Sequence, residues 1–524
     1  MPTGWSDLPM ELKLMVFGHL DGKNCTSRDE KQDDRLAHHK SAYAAVSRQW
    51  QAYFEPINFE RLVVRQSELS YFDQIIDDHR MFDVRALWLR IELPRYGCDS
   101  CAKAESKKEA STNNRIFTEA LWNLFNILDK WQKRSGAIGT RKLWLKLILS
   151  VYSPSDREHH YRSHCFDDDI QGGYTGDYVP HHDPAHHWRR GQQTRPNVET
   201  QLRHMGSPLY YDFSRIHPPE ARHFPQLKFV RALLTPRQYS RPLSNLHLVI
   251  RSLPRLEVLR LETFRDVTGD REWDRAWDFA ATLRALPRSL RKFSAFEDSS
   301  PALAPPAPVV IAPMSSTLLE ATAQRLAEID ASFLVCAEWF FRRFLPSEID
   351  ETAQRDFWPR LRALSLTSAQ LRVEGAADDR AEVLECAARA ALRMPVLGVM
   401  EIWHGEEGEV RIFRYTCRKE NANDRGKTST VHVLDSHAVP MELRESVVSE
   451  WQAVACKYGN GALKVERTKL SSRDIRSHGS ALRWLERRRD IVSAGSARQL
   501  AWEARNLRRV LPTPSVPAAP RGIN

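Results

Sequence analysis

A nine-residue pattern recurs along the middle of the chain and limits the folds open to it. It reads apolar-Pro-x-Leu-x-x-apolar-x-apolar and occurs at Leu253–Leu261, Trp358–Leu366 and Met394–Ile402. Weaker copies begin at Phe224 and Leu286. Successive prolines, at positions 225, 254, 287, 359 and 395, are 29, 33, 72 and 36 residues apart. Because 72 is twice 36, the spacing predicts one degenerate copy near Phe333–Val335.

Each copy predicts a helix, a corner and a strand. Residues before each proline have apolar side chains at helical spacing, and residues after Pro-x-Leu alternate apolar and polar, as in a half-buried strand. Since a helix joins each strand to the next, parallel strands are expected, with 84–93 and 143–151 as earlier candidates. The pattern resembles an irregular leucine-rich repeat array, which implies an α/β solenoid over residues 61–397. An ordinary α/β domain with coincidental Leu-Pro turns is the alternative.

The first 54 residues predict two short helices. Ser6 or Asp7 can cap the first helix, and Pro9 fits its first turn. Apolar residues then recur at helical spacing, first at Leu12, Val16 and Leu20 and later at Tyr43, Val46, Trp50 and Phe54. Neither helix can bury its apolar stripe alone, so the two are expected to pack together.

This N-terminal segment resembles the F-box motif. The resemblance rests on Leu8-Pro9, Glu11-Leu12, Val16-Phe17, Leu20, Val46-Ser47-Arg48 and Trp50. It implies an all-α F-box-like head over residues 1–60 that docks onto a Skp-type adaptor of a cullin ubiquitin ligase. The adaptor-binding residues that it implies are Leu8, Pro9, Leu12, Val16, Phe17, Leu20, Val46 and Trp50. The polar stretch 22–34 is longer than the family's usual connection, and a plain helical hairpin is the alternative.

The last hundred residues predict a different arrangement. Segments 400–403, 410–415 and 430–434 have the composition of short strands joined by turns, which favours antiparallel pairing. A helix over 441–458, a strand over 462–466 and two basic helices follow. Residues 398–511 are therefore interpreted as an α+β module that caps the array, and residues 512–524 as a disordered tail.

Composition narrows the possible partners. A net charge of +10 is spread thinly over 524 residues, so nucleic-acid binding is permitted but not indicated. Eight scattered cysteines and no apolar signal sequence favour a reducing compartment. No apolar run approaches the roughly 18 residues of a membrane span. The chain is expected to be intracellular, cytoplasmic or nuclear, without a membrane partner.

The segment 152–223 is dense in histidine and aspartate. Its metal-type ligands are His159, His160, His164, Cys165, Asp167, Asp168, Asp169, His181, His182, Asp183, His186 and His187. Their spacing fixes no tetrahedral set, and Cys98-Asp99-Ser100-Cys101 lacks a second pair at zinc-ribbon spacing, so no metal is predicted. Amphipathic side chains of this loop are instead candidate target-binding residues: Tyr174, Tyr178, His182 and Trp188. A second loop, 301–313, contains five prolines.

These features together resemble F-box proteins of filamentous fungi that have long C-terminal regions of unassigned activity. The resemblance implies a non-enzymatic substrate receptor of a Skp-cullin-type ubiquitin ligase, which holds an unknown protein target on its repeat surface. The sequence has no Gly-rich phosphate loop, no nucleophile elbow and no His-Glu-x-x-His, and no cofactor is predicted. The alternatives are a ligase-independent interaction scaffold and, more remotely, a metal-dependent enzyme built on the histidine-rich loop.

Overall fold

The structure is a computed structural model of the 524-residue chain. It describes residues 5–20, 41–139, 142–161, 166, 182–189, 192–193, 198–204, 208–214, 216, 223–237, 241, 243–265, 272–298, 312–322, 324–345, 358–419 and 427–506. Among these residues, no helix combines the length and the apolar character that crossing a membrane requires.

Within the described part of the chain, twelve strands form one sheet. Its strands are β1 (Arg61–Arg65), β2 (Ala86–Glu92), β3 (Leu145–Tyr152), β6 (Val230–Thr235), β7 (Val258–Phe264), β8 (Lys292–Asp298), β9 (Glu328–Cys336), β10 (Ala363–Thr367), β11 (Val399–Glu406), β12 (Glu409–Arg418), β13 (Thr428–Asp435) and β14 (Leu463–Lys469), in that spatial order. All pairs from β1 to β11 are parallel. The strand β12 pairs antiparallel with β11 and β13, whereas β14 is parallel to β13. Two short strands, β4 (Trp188–Arg189) and β5 (Gln192–Gln193), form a separate hairpin.

Helices precede, connect and follow the strands of the sheet. They are α1 (Met10–Leu20), α2 (Arg48–Glu60), α3 (Leu69–Ile75), α4 (Cys98–Cys101), α5 (Lys107–Ile138), α6 (Pro154–Glu158), α7 (Val198–His204), α8 (His247–Arg251), α9 (Glu272–Arg284), α10 (Ala312–Thr322), α11 (Ala337–Phe341), α12 (Ala377–Ala391), α13 (Glu445–Tyr458), α14 (His478–Ala481), α15 (Arg488–Ile491) and α16 (Ala494–Asn506). The longest, α5, begins with a capping box between Ser106 and Glu109 and ends at Gly139, whose φ of 72° is the left-handed conformation that glycine adopts readily.

The repeated sequence pattern forms the same corner in each clear copy. The amide N–H of the repeat leucine donates to the carbonyl oxygen three residues earlier, at 3.1 Å for Leu256, 3.4 Å for Leu361 and 3.1 Å for Leu397. All three leucines are buried, and each precedes a parallel strand, namely β7, β10 or β11. The strand β9 contains the segment predicted to be the degenerate copy. The prediction of parallel strands after these corners is confirmed.

Both faces of the sheet are covered. The first face packs against the connecting helices and forms the main core, to which α5 contributes Leu121 and Leu128 and α13 contributes Trp451. The second face, from β7 to β13, packs against residues 470–506, which we call the return segment. Trp403 and Ile412 of the sheet share a smaller apolar cluster with Leu482, Ile491 and Leu500 of that segment.

Buried carboxylates of the second face bind the return segment. Glu262 on β7 accepts hydrogen bonds from the backbone N–H of Ser493 at 2.5 Å and from its hydroxyl at 3.1 Å. Asp330 on β9 forms a bidentate ion pair with Arg487 at 3.0 and 2.7 Å. Glu401 on β11 accepts from the backbone N–H of Arg487 at 3.2 Å. Polar residues that alternate along the strands therefore face protein here.

The predicted fold class is wrong. A leucine-rich-repeat-like solenoid with a separate C-terminal α+β cap does not describe this protein, because a single mostly parallel α/β sheet continues across the expected boundary. Leu364 of β10 and Met400 of β11 are register partners on either side of residue 397. The connecting helices range from 4 residues in α4 to 32 in α5, so the units are not uniform. The return segment crosses back over the sheet and does not cap its end.

The predicted self-contained F-box-like head is also wrong. The helix α2 ends at Glu60 and β1 begins at Arg61, so the helix is continuous with the first strand of the sheet. Glu55 on α2 pairs with Arg80, which follows α3, at 2.6 Å. The N-terminal helices are thus attached directly to the edge of the α/β body.

Candidate functional site

An aromatic cluster holds the two N-terminal helices together. The ring of Phe17 on α1 lies 5.0 Å from that of Trp50, 5.5 Å from that of Phe54 and 5.3 Å from that of Trp5. Phe17 and Phe54 are buried. Ser47 caps α2 by accepting a hydrogen bond from the backbone N–H of Trp50 at 3.4 Å. These contacts fix how α1 lies against α2.

The rest of α1 presents apolar side chains to solvent. What we call the N-terminal apolar surface consists of Met10, Leu12, Leu14, Met15, Val16 and Val46, each between 38% and 63% exposed. A helix that is apolar on most sides is normally covered by other protein. A contiguous exposed apolar patch usually marks a site of interaction.

The residues predicted to bind an adaptor divide into two groups. Pro9, Leu12, Val16 and Val46 are exposed, whereas Leu8, Leu20 and Trp50 are partly buried. Phe17, expected on the contacting surface, is only 1% exposed because it lies at the centre of the aromatic cluster. Phe17 therefore supports the surface from beneath.

A second candidate site lies at one edge of the parallel sheet. Cys98 is the first residue of α4, which follows β2, and His159 immediately follows α6, which comes after β3. His186 ends a 3₁₀ turn, Pro184–His186. Since β2 and β3 are parallel neighbours, their carboxyl ends meet at the same edge, the usual place for ligands of open α/β sheets.

Three ligand atoms converge at this edge. The Sγ atom of Cys98 lies 3.7 Å from Nδ1 of His159 and 3.6 Å from Nε2 of His186. The two histidine nitrogens are 3.1 Å apart. We call Cys98, His159 and His186 the Cys–His–His cluster. Cys98 is exposed, His186 is partly exposed and His159 is buried, so the cluster lies at the surface with one wall inside the protein.

Hydrogen bonds on the outer side of each imidazole set its orientation. Nδ1 of His186 is 2.6 Å from a carboxylate oxygen of Asp183. Nε2 of His159 is 3.3 Å from the carbonyl oxygen of Tyr96, whose ring stacks on the imidazole at 5.5 Å. Asp183 and Trp188 exchange backbone hydrogen bonds of 2.8 and 2.9 Å, which close the turn that presents His186.

A buried ionic network supports the cluster from below. The hydroxyl of Tyr96 donates to Asp156 at 2.7 Å, and Asp156 also lies 3.2 Å from His204 and 3.5 Å from Arg241. Burial by itself would raise the pKa of Asp156, but Arg241 and His204 hold that pKa below its usual range. Burial, with a smaller effect of neighbouring histidines, lowers the pKa of His160 to about 4.

Of the four residues predicted to bind a target, the structure describes Trp188 and His182. Trp188 is fully buried, and its indole N–H donates to the carbonyl oxygen of His160 at 3.3 Å, so the structure does not present its ring to solvent. His182 is exposed. Tyr174 and Tyr178 lie outside the described residues, as do His164, Cys165, Asp167, Asp168, Asp169 and His181.

Cys98 is the member of the cluster that the sequence did not connect with the histidines. The CxxC motif has no second cysteine pair in sequence, and Cys101 points elsewhere, with its thiol donating to the carbonyl oxygen of Cys98 at 3.3 Å. The available signal was positional, because Cys98 and His159 each follow a strand of a predicted parallel pair.

A third feature is a cavity beside α9. Its lining includes Tyr210, Glu262, Asp274 and Asp278. On the same helix, Trp273 and Trp277 are 61% and 65% exposed, one helical turn apart. Tryptophan is among the residues most enriched in protein-binding hot spots.

Comparison with known proteins gives one finding about family. Residues 285–493 match the model of a family of unknown function, DUF6546. The match covers the strands from β8 to β14 and the return segment through α15. No curated protein matches the chain.

Proposed function

We propose that this protein is a non-enzymatic recruitment factor that docks onto a Skp-type adaptor of a cullin ubiquitin ligase through its N-terminal apolar surface. A separate surface of the α/β body would hold the protein target. Catalysis of ubiquitin transfer would then come from proximity and would need no reactive side chain on this chain.

The observation that carries the proposal is the concentration of exposed apolar side chains at the N-terminus. Of the fifteen large apolar side chains that are exposed among the described residues, six lie between positions 10 and 46. Five of these are on α1. Leaving such a surface in water is unfavourable by roughly 25 cal/mol for each Å² of apolar area, so a partner that covers it gains that free energy.

The sequence pattern supports an adaptor as the occupant. The exposed residues Leu12, Val16 and Val46 belong to the F-box-like pattern. The buried Phe17 and half-buried Trp50, also of that pattern, form the support beneath them. The aromatic residues thus hold the helices in place, and the exposed aliphatic residues contact the adaptor.

The cavity beside α9 favours a target segment that carries both a basic and a large apolar side chain. Asp274 and Asp278 are among the acidic residues that line it, and the same helix carries the exposed Trp273 and Trp277. A segment that combines an arginine or lysine with a large apolar side chain fits this combination, because guanidinium and ammonium groups pair with carboxylates and also pack on indole faces. We therefore place target binding there.

The adaptor prediction is tested with the purified full chain and a purified Skp-type adaptor. Leu12→Lys combined with Val16→Lys puts two charges into the expected contact and should weaken binding by about 100-fold, measured by isothermal titration calorimetry. Both side chains are exposed, so the thermal unfolding midpoint should stay nearly unchanged.

Two matched controls locate the effect. Val439→Lys changes another exposed apolar residue, 68% accessible, and should leave adaptor binding unchanged. Trp273→Ala with Trp277→Ala should also keep adaptor binding but lose binding to arrayed peptides that join Arg or Lys to Trp, Phe or Leu. Lack of adaptor binding by the wild-type chain, or equal binding by the Leu12/Val16 variant, would refute the docking proposal.

A further inference from the structure

We infer that Cys98, His159 and His186 bind one zinc ion, which fastens the loop around residues 182–189 to the carboxyl edge of β2 and β3. The inference is independent of the proposed recruitment function. It replaces the expectation of no metal that came from sequence spacing alone.

The distances within the cluster agree with tetrahedral zinc. Zinc–sulfur bonds of about 2.3 Å and zinc–nitrogen bonds of about 2.0 to 2.1 Å, at tetrahedral angles, place sulfur and nitrogen about 3.5 Å apart and two nitrogens about 3.4 Å apart. The observed Sγ–N separations are 3.7 and 3.6 Å, and the N–N separation is 3.1 Å. Every pair therefore lies within about 0.3 Å of the separation that one shared ion requires.

The tautomers of the two histidines leave lone pairs facing the centre. His186 directs Nδ1 to the carboxylate of Asp183 at 2.6 Å, which favours the proton on Nδ1 and a lone pair on Nε2. His159 directs Nε2 to the carbonyl oxygen of Tyr96, which can only accept, so its lone pair is on Nδ1. Two nitrogen lone pairs and the sulfur of Cys98 thus face one another. A cation between them would be bound by all three atoms.

The surroundings are those of a metal ligand shell. A histidine that donates its outer N–H to a carboxylate or a carbonyl is the common second layer of zinc sites, because this bond fixes the ring and strengthens its basicity. Here Asp183 serves His186, and the carbonyl oxygen of Tyr96 serves His159. Two imidazoles with one thiolate suit a transition-metal ion such as zinc, whereas Mg²⁺ and Ca²⁺ prefer oxygen. Binding displaces the thiol proton of Cys98 to solvent.

The position of the ligands indicates what the ion does. Cys98 and His159 are 61 residues apart and follow neighbouring strands, while His186 belongs to a loop 27 residues further along. An ion at this point joins all three segments at one place on the surface. Among the described residues no fourth side chain completes the group within the same distance.

The first test measures the metal directly. The full chain, purified without chelator and without nickel resin, should contain about one zinc per chain by inductively coupled plasma mass spectrometry. Cys98→Ser and His186→Ala should each lower the zinc content at least 10-fold. Asp183→Asn, which removes the negative charge of the outer partner of His186, should weaken zinc affinity by about 10- to 100-fold.

Two controls separate the site from general thiol or histidine binding. Cys456→Ser replaces another exposed cysteine, and His182→Ala replaces an exposed histidine of the same loop, and both should keep the zinc. A test that needs no variant uses the wild-type chain, which is stripped with a chelator and titrated with Co²⁺. A thiolate-to-cobalt charge-transfer band that saturates at one equivalent is expected.

Limited proteolysis reports the role of the ion. The chelator-treated chain should be cleaved near residues 182–204 faster than the zinc-loaded chain, with no change of cleavage in the N-terminal helices. Wild-type protein that holds no zinc after reconstitution, lacks the cobalt band, or keeps its zinc in Cys98→Ser would overturn the inference. Zinc binding without altered proteolysis would refute the fastening role.

Discussion

Arg487 joins the return segment to the second face of the sheet, and its replacement should destabilise the protein strongly. Its guanidinium forms the bidentate pair with Asp330 and also contacts Glu328 at 2.8 Å. Arg487→Met keeps most of the aliphatic stem but removes the charge. Glu328 retains Lys292 at 2.5 Å, so the group left without a counter-charge is Asp330, which is 1% exposed.

The expected cost follows from that isolated carboxylate. Removing one partner of a buried ion pair typically lowers the free energy of unfolding by about 3 to 5 kcal/mol. Adding Asp330→Asn to Arg487→Met removes the isolated charge as well, so the double variant should lose only about 1 to 2 kcal/mol. The double variant is therefore expected to be more stable than Arg487→Met alone by about 2 to 3 kcal/mol, so the costs of the two substitutions should not add.

Urea unfolding followed by tryptophan fluorescence measures these differences, provided that the slope of free energy against urea is the same in all variants. Arg488→Met alters the exposed neighbour and should change stability by no more than about 0.5 kcal/mol. If Arg487→Met cost less than about 1 kcal/mol, or if the double variant lost as much as the two single variants together, the return segment would not be docked as described.

Two further predictions concern the hydrophobic core and the acid sensitivity of the buried ionic network around Asp156. Leu364→Ala in β10, fully buried, should lower the unfolding free energy by about 2 to 5 kcal/mol in the same urea assay, whereas Val396→Ala, 39% exposed in a neighbouring copy of the pattern, should cost far less. The pKa of Asp156 is lowered from 3.8, so its ionised form contributes stability above about pH 4, and this contribution is lost on further acidification. The stability difference between wild type and Asp156→Asn should therefore shrink as the pH falls below 4; a difference that grows with acidification would contradict the ionic network.

The main part of the sheet could be predicted because its signal is local. A proline, a leucine two residues later and an alternating segment fix a corner and a strand, and Leu256, Leu361 and Leu397 all show this geometry. The antiparallel strands near the C-terminus were predicted for the same reason and are confirmed as β11, β12 and β13.

The second face could not be predicted in this way. Glu262, Asp330 and Glu401 alternate with apolar residues along their strands, and the same alternation is found in strands whose polar side faces water. The return segment, which covers these carboxylates, lies at least 85 residues away in sequence. The periodicity of apolar residues contains no information about contacts over that separation.

The candidate site was partly accessible from the sequence. Adjacent parallel strands after positions 84 and 143 imply that the residues following them share one edge, so Cys98 and His159 could have been considered together. The contribution of His186 depends on the turn closed by Asp183 and Trp188, and single-residue patterns do not specify such a turn.

The return segment also has a consequence for synthesis of the protein. At about 5 to 20 residues per second, ribosomal elongation from Asp330 to Arg487, 157 residues later, takes about 8 to 30 seconds. During this interval the second face of the nascent sheet has no cover from its final partner. Carboxylates such as Glu262 and Asp330, charged and hydrated at that stage, oppose association between unfinished chains where leucines would promote it. Acidic residues that are costly to bury in the finished protein thus protect the incomplete one.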